Sequence, residues 1–345
     1  WVRQFNASGA VSVFSGKSWE KLLPSGAYAT LGPDDAAGEE GDVSSSRTFP
    51  HRLAEFAFVR AFEASPYQNE VVAEFAMRAV IEEELGRDGV PDLLAIGFSA
   101  NDLIGHAYGP DSHEVMDATI RTDRLLQRLF RFLNDEIGLQ HVVIVLTADH
   151  GVAPLPERMN RIISDAGATR LDPAVLATRA EAALRERFGD PPGANWVTQL
   201  AQPWIYLNVK ALEQSGHTVE EAERTTKAAI KTIPSVSLAL AATELRGPNQ
   251  GVPSAAAFSF HPARSGHIYY ELNPYVVPGS ARAGTTHGSP WSYDARVPLL
   301  WFGRTVRRGR YREASVADIA PTLAAILGVS APRGSEGRLL TEILR

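Results

Sequence analysis

With 345 residues, 44% of them hydrophobic, the chain carries enough apolar material for one large domain or two and is not a disordered tail. Its 34 Lys and Arg against 40 Asp and Glu give a formal net charge of −6, and the basic residues are scattered rather than striped, which excludes the electrostatic footprint of a nucleic-acid scaffold. No apolar run reaches the roughly 18 residues of a spanning helix, and the absence of cysteine excludes disulfides, thiolate catalysis and Cys-ligated metals. The sequence opens at Trp1 without an initiator Met, a charged n-region or an apolar h-region, so the expectation is a fragment whose targeting segment lies upstream.

In chain order, Ala10, Val11, Val13 and Phe14 alternate with polar or small residues before Ser15-Gly16-Lys17-Ser18, a pattern that predicts a strand running into a turn. Residues 32–46, rich in Gly, Asp, Glu and Ser, read as an exposed loop. From about Asn69, the spacing of Val72, Phe75, Ala76, Ala79 and Val80 predicts a helix that ends near Gly86. The apolar runs Asp92 to Phe98 and His141 to Thr147 predict buried parallel strands, and Asp117 to Ile137 between them predicts a helix through Ile120, Leu126, Leu129, Phe130, Leu133 and Ile137. Strand, helix and strand make a crossover unit, hence an α/β fold with a mostly parallel central sheet and helices on both faces. Val297 to Phe302 offers another strand, which Pro298 demotes toward an edge, and Asp318 can cap a helix to Leu327. The middle differs in texture, with helices at Ala174 to Phe188 and Val219 to Ile230, a strand at Trp204 to Val209 and loops rich in Pro, Gly and Ser. The expected organisation is a core of residues 1–153 and 284–345 with a smaller α+β subdomain, 154–283, inserted into it.

Three segments at predicted strand ends hold metal-type side chains, the place where ligands gather in an open α/β sheet. In FSANDLIGHAYGPDS, Asp102 and His106 are four apart and share one face of a helical turn; LTADHGV brings Asp149 and His150 to a strand end; GTTHGSPW places His287 among small residues. Each has a plain alternative, a capping Asp beside a surface His or an Asp-His turn. Their order in one chain, with Gly105, Gly151 and Gly288 each next to a His, favours a joint site. Imidazole and carboxylate in this ratio suit zinc or manganese better than calcium or magnesium, which prefer oxygen shells. The GKS at residues 16–18 is not a P-loop, because six residues separate Gly9 from Gly16 where four are required, and Asn6-Ala7-Ser8 is a sequon of the kind common by chance.

The ordered set DLIGHAYGPDS, TADHGV and THGS resembles the type I phosphodiesterase and nucleotide pyrophosphatase group of the alkaline phosphatase superfamily, closest to the exported bacterial alkaline phosphatase branch with a threonine nucleophile. FPHRLAEF, YQNEVVAEFA and SVADIAPTLAAILG extend the resemblance over most of the chain. It implies hydrolysis of a small-molecule phosphate ester, mono- or diester, at a site of two zinc ions or, as an alternative, manganese. Asp102, His106 and His287 match three ligands of one ion; Asp149 and His150 match two ligands of the other. The family's further Asp and its Thr or Ser nucleophile have no counterpart before Asp102, and both are expected on an N-terminal segment that is missing here. Lys17, in VSVFSGKSWEKLLPSGAY, matches a lysine that grips the phosphate, but the Arg expected two residues on is Trp19, so the bidentate fork is replaced and diester substrates gain weight. A solvated turn residue is the plain alternative for Lys17. The resemblance also implies a periplasmic or extracellular setting. Rival readings are a manganese phosphomutase-like enzyme of the same fold and a non-catalytic, degenerate metal-binding member. His51, His113, His141 and His217 are expected to be structural, while His261 and His267 are candidates for lining the cleft.

Overall fold

Helix α1 (Tyr67–Glu82) buries Val71, Ala73, Ala76 and Val80 along one side, as the apolar spacing of its sequence requires. Helix α2 (Ala100–Tyr108) and helix α3 (His113–Glu136) follow, joined through Gly109, whose φ of +80° is a conformation that L side chains resist. Ser112 starts α3 by accepting a hydrogen bond from the Val115 amide at 3.1 Å. Strand β1 (Ile144–Thr147) then leads to Asp149 and His150. The computed structural model describes residues 1–246, 254–279 and 282–345, and the chain falls into two units, Trp1–Gly151 with Arg296–Arg345, and Val152–Ala295.

The first unit packs Trp19, Leu53, Phe62, Val71, Ile104, Tyr108 and Ala118 into one apolar cluster. Bonded to Trp19 of this cluster is a buried acid. Asp117 of α3 is fully buried and accepts from Trp19 Nε1 at 2.7 Å, the Leu22 amide at 2.6 Å, Tyr28 Oη at 2.7 Å and Arg121 Nε at 2.5 Å. Burying a carboxylate is costly unless its lone pairs are met, and here two donors meet each oxygen.

The second unit contains β2 (Thr169–Leu171), α4 (Ala174–Phe188), β3 (Val197–Ala201), β4 (Trp204–Leu207), α5 (Val219–Ile230), β5 (Val236–Ala241), β6 (Ile268–Leu272) and β7 (Val276–Pro278). Strands run β3-β4-β6-β5 in an antiparallel sheet, and β2 pairs parallel with β7. Leu176 and Ala180 of α4 and Ile230 of α5 share a core with Ile205, Ile268 and Tyr270 of the sheet. Back in the first unit, β8 (Leu299–Phe302) pairs antiparallel with β1, Leu299 opposite Thr147 and Phe302 opposite Ile144, and α6 (Ile319–Leu327) follows.

Four local expectations are corrected. Residues 12–14 form a 3-10 turn rather than a strand, with Val11 and Val13 exposed and Phe14 stacked on Tyr67, so the alternation of apolar residues has no sheet to face. Asp92 to Phe98 is extended, but no strand pairs with it among the described residues, and Leu93 is 70% exposed; an apolar run supplies β-propensity without supplying a partner. Strand β1 begins at Ile144 because residues 139–141 turn after Gly138, and the partner it finds, β8, is antiparallel. Asp318 precedes α6, but its carboxylate accepts from the Ser315 amide at 2.8 Å and the Arg338 amide at 2.8 Å instead of capping the helix.

Replacing Asp117 by Ala strands four donors at once and is expected to cost about 3–5 kcal/mol, whereas Asp117→Asn, which keeps an acceptor, costs about 1–3 kcal/mol. Urea unfolding of both variants checks this, and a shift below about 0.5 kcal/mol for Asp117→Ala would contradict the assigned role.

Candidate metal centre

Helix α2 presents Asp102 and His106 one turn apart on a half-exposed side, with His106 Nε2 3.5 Å from Asp102 Oδ1. No side chain of its own caps the helix; Asn69 of α1 does so from outside, its Oδ1 accepting from the Ala100 amide at 3.3 Å. Asn69 Nδ2 also donates to Asn101 Oδ1 at 3.0 Å and Thr122 Oγ1 at 3.2 Å, so the first turn of α2 is tied to α1 and α3. The other contributors stand at the end of β1. His150 Nδ1 is 2.8 Å from the Gly151 carbonyl, which can only accept, so Nδ1 carries the proton and Nε2 keeps its lone pair. That Nε2 lies 3.6 Å from Asp149 Oδ2 and 4.0 Å from Asp102 Oδ1. Four of the five expected ligands, from two separate elements, therefore meet in the first unit. Imidazole nitrogens and carboxylate oxygens, with one imidazole locked in the metal-accepting tautomer, fit a borderline divalent ion.

His287 belongs to the second unit, where it helps to line a cavity with Gln202, Tyr269, Tyr270, Trp291 and Asp294. Its loop is pinned to Ala153, three residues beyond His150 in sequence: the Ala153 amide donates to the Thr286 carbonyl at 3.1 Å and Thr285 Oγ1 donates to the Ala153 carbonyl at 2.8 Å. Lys17 is exposed, its ammonium 4.8 Å from the centre of the Phe14 ring. Trp19, standing where the resembling family carries Arg, is 1% exposed and committed to Asp117. His267 accepts from the Leu207 amide at 3.0 Å, and its pKa is lowered by burial and then by Arg246, as befits a neutral ring inside the sheet. His261 accepts from the Ala263 amide at 3.2 Å and closes a turn, and His217 stacks on Phe188.

Sequence reasoning passed over a buried polar cluster that packs against α2. His51 lies between Asp42 and Glu114, with Nδ1 3.2 Å from Asp42 Oδ2 and Nε2 2.9 Å from Glu114 Oε1. Burial alone would push the imidazole toward neutrality, but the bonds to Asp42 and Glu114 outweigh it and raise its pKa to about 9. Burial raises the Glu114 carboxyl; it would raise Asp42 too, were that group not held low by His51 and the amides of Ser46 and Ser44. Glu39, 3% exposed, is pushed up to about 8 by burial and by the nearby Glu114 and Asp34 carboxylates. His113 is also structural: its Nε2 is 3.0 Å from the Gly32 carbonyl, and its Nδ1 faces Lys21 Nζ at 2.9 Å and Asp34 Oδ1 at 3.1 Å. The signal available in sequence was the Phe-Pro-His-Arg segment, a histidine set among few other polar cues.

Residues 17–290 match the model of the type I phosphodiesterase / nucleotide pyrophosphatase family. A protein of Myroides odoratus named calcium-transporting ATPase is 31% identical over 359 aligned positions, which cover 100% of this chain and 64% of that protein. Alkaline phosphatase PafA of Elizabethkingia meningoseptica is 27% identical, covering 100% of this chain and 63% of the relative. The crystal structure of wild-type PafA superposes with a TM-score of 0.90 at 25% identity, over 100% of this chain and 66% of that one, so the fold class expected from the sequence is the one observed. The chain thus spans a little under two thirds of the length of these curated relatives.

The buried acids set the response of the fold to pH. A Glu39 carboxyl whose folded pKa is raised from 4.5 to about 8 holds its proton more tightly in the native chain, so the stability it contributes is present below pH 4.5 and is lost as the pH climbs toward 8. The Glu39→Gln variant, neutral at every pH, is expected to lose less stability than the parent across that window. Denaturation midpoints that run parallel for the two proteins from pH 5 to pH 8 would rule this out.

Proposed function

The chain belongs to the type I phosphodiesterase / nucleotide pyrophosphatase family, and from that membership we propose that it serves metal-dependent hydrolysis of phosphate esters. The observation that carries the reading is the convergence of Asp102, His106, Asp149 and His150, with the His150 tautomer set by the bond from Nδ1 to the Gly151 carbonyl. In this proposal Asp102, His106 and His287 hold one zinc ion, and Asp149 and His150 hold part of the shell of a second, with manganese as the substitute. Support for including His287 comes from its loop, hydrogen-bonded to a residue just beyond His150 in sequence. Divalent ions bound there would supply charge neutralisation for the phosphoryl oxygens and lower the pKa of an attacking oxygen.

The residues of the chain itself do the positioning. Asp102 Oδ1 stands 3.5 Å from His106 Nε2 and 4.0 Å from His150 Nε2, which brings the three donor groups to one place, and the Gly151 carbonyl holds the His150 ring and its tautomer. Lys17 is the proposed contact for a non-bridging phosphate oxygen. With Trp19 buried at the position of the family's Arg, that contact is a point charge rather than a guanidinium fork, which weakens the preference for the doubly charged terminal phosphate of a monoester. No nucleophile is assigned among residues 1–345. The substrate is a small-molecule ester, and a periplasmic or extracellular location is proposed from the family resemblance; among the described residues no helix is long and apolar enough to cross a membrane.

Elemental analysis, with turnover of para-nitrophenyl phosphate and its bis ester, tests the proposal on this chain and on a version extended upstream. His106→Ala and His287→Ala are expected to lower zinc content and turnover together, by more than the roughly 10–100-fold that loss of an outer hydrogen-bond partner costs a metal site. Lys17→Ala should lower turnover at unchanged zinc content. No stable zinc in either parent protein would overturn the assignment and leave the non-catalytic reading.

A further inference from the structure

Tyr108 is the last residue of α2 and is 2% exposed. It follows His106 by two positions, about 200° around a helix of 3.6 residues per turn, so it stands on the side away from the ligands. Its hydroxyl lies 3.2 Å from His51 Nδ1. The same imidazole reaches Asp42 through Nδ1 and Glu114 through Nε2, and Glu114 is the second residue of α3. Asp42 is itself fixed, accepting from the Ser44 amide at 2.7 Å and the Ser46 amide at 3.0 Å. Because both ring nitrogens face carboxylates, both donate, and the Tyr108 hydroxyl oxygen accepts a share of the Nδ1 proton. Trp19, Phe49 and Tyr108 pack around the imidazole with ring centres 5.4, 4.8 and 5.1 Å away. A second tie reaches the same helix end, where the Glu40 amide donates to the Ala107 carbonyl at 2.8 Å.

We infer that His51 is a positioning residue for the Asp102–His106 pair: by joining the end of α2, the start of α3 and the 42–46 turn, it sets the rotation and tilt of the helix that offers both ligands. The inference rests on the metal reading above. A ligand helix free to roll by a few degrees would carry Asp102 and His106 together away from Asp149 and His150 at the end of β1, and the His51 junction opposes that roll. The charges that face His51 are Asp42 from the turn and Glu114 from α3, with Glu39 and Asp34 facing Tyr108 nearby; a neutral replacement at 51 leaves these acids unbalanced and removes one of the two polar ties to the helix end.

Cobalt(II) titration of the 345-residue chain, read by its ligand-field absorption, tests this with the metal alone. His51→Gln and Tyr108→Phe are expected to weaken cobalt binding about tenfold and to shift the absorption band, at temperatures where far-UV circular dichroism shows the fold intact. Should His51→Gln fail to fold, Tyr108→Phe, which removes only a hydroxyl, decides. A lowered unfolding midpoint with unchanged cobalt affinity and spectrum would mean that the cluster is merely structural and would overturn the inference. His106→Ala is the control: if it loses cobalt while the His51 and Tyr108 variants do not, positioning alone has failed, and if it binds like the parent, the ligand assignment has failed and the inference falls with it.

Discussion

A helix of nine residues cannot hold its own geometry in water, because nucleation costs more than so few hydrogen bonds return. Yet α2 carries two of the side chains on which the candidate centre depends, and their spacing matters to tenths of an ångström if they are to share an ion. The structure meets that constraint from outside the helix. Asn69 ties down the first turn and His51 the last residue, while Ile104 and Tyr108 sink into the apolar cluster below. The side that carries Asp102 and His106 is left half-exposed and does none of the anchoring.

The anchoring elements are polar groups buried in an aromatic setting, which makes them unforgiving. Asp117 and His51 both sit near Trp19: the indole donates to one and packs against the other. In so dry a place a carboxylate with four donors is well held and one with three is in debt to the solvent it has lost. Trp19 thereby explains its own identity. Its ring fills the core and its single N–H is spent on Asp117, so it is not available to do at a phosphate what an arginine would.

How much of this was legible in the sequence follows from how local each feature is. The convergence of the candidate ligands was readable because Asp102 and His106 need only helical spacing, and Asp149 and His150 only a strand end. Helices α4 and α5 were readable to their last residues because amphipathic spacing is written into consecutive positions. The strand expected at 92–98 was not, since pairing is a property of two segments and the sequence describes one at a time. The cluster around His51 was hidden for the same reason at longer range: its carboxylate partners are 9 and 63 residues away, and the bond from Trp19 to Asp117 spans 98. Nothing near His51 distinguishes a histidine held between two acids from a histidine on a surface loop.

The bonds between Ala153 and the Thr285–Thr286 pair have a further meaning. They close a chain excursion of 132 residues at its base, so the path leaves and returns at nearly the same point. Closure entropy grows only with the logarithm of length, and a base fastened by backbone and hydroxyl bonds is indifferent to what lies beyond it. Changes of chain length far from residues 153 and 285 therefore need not disturb the fastening itself. In that sense the two threonines are a clasp at the base of the excursion.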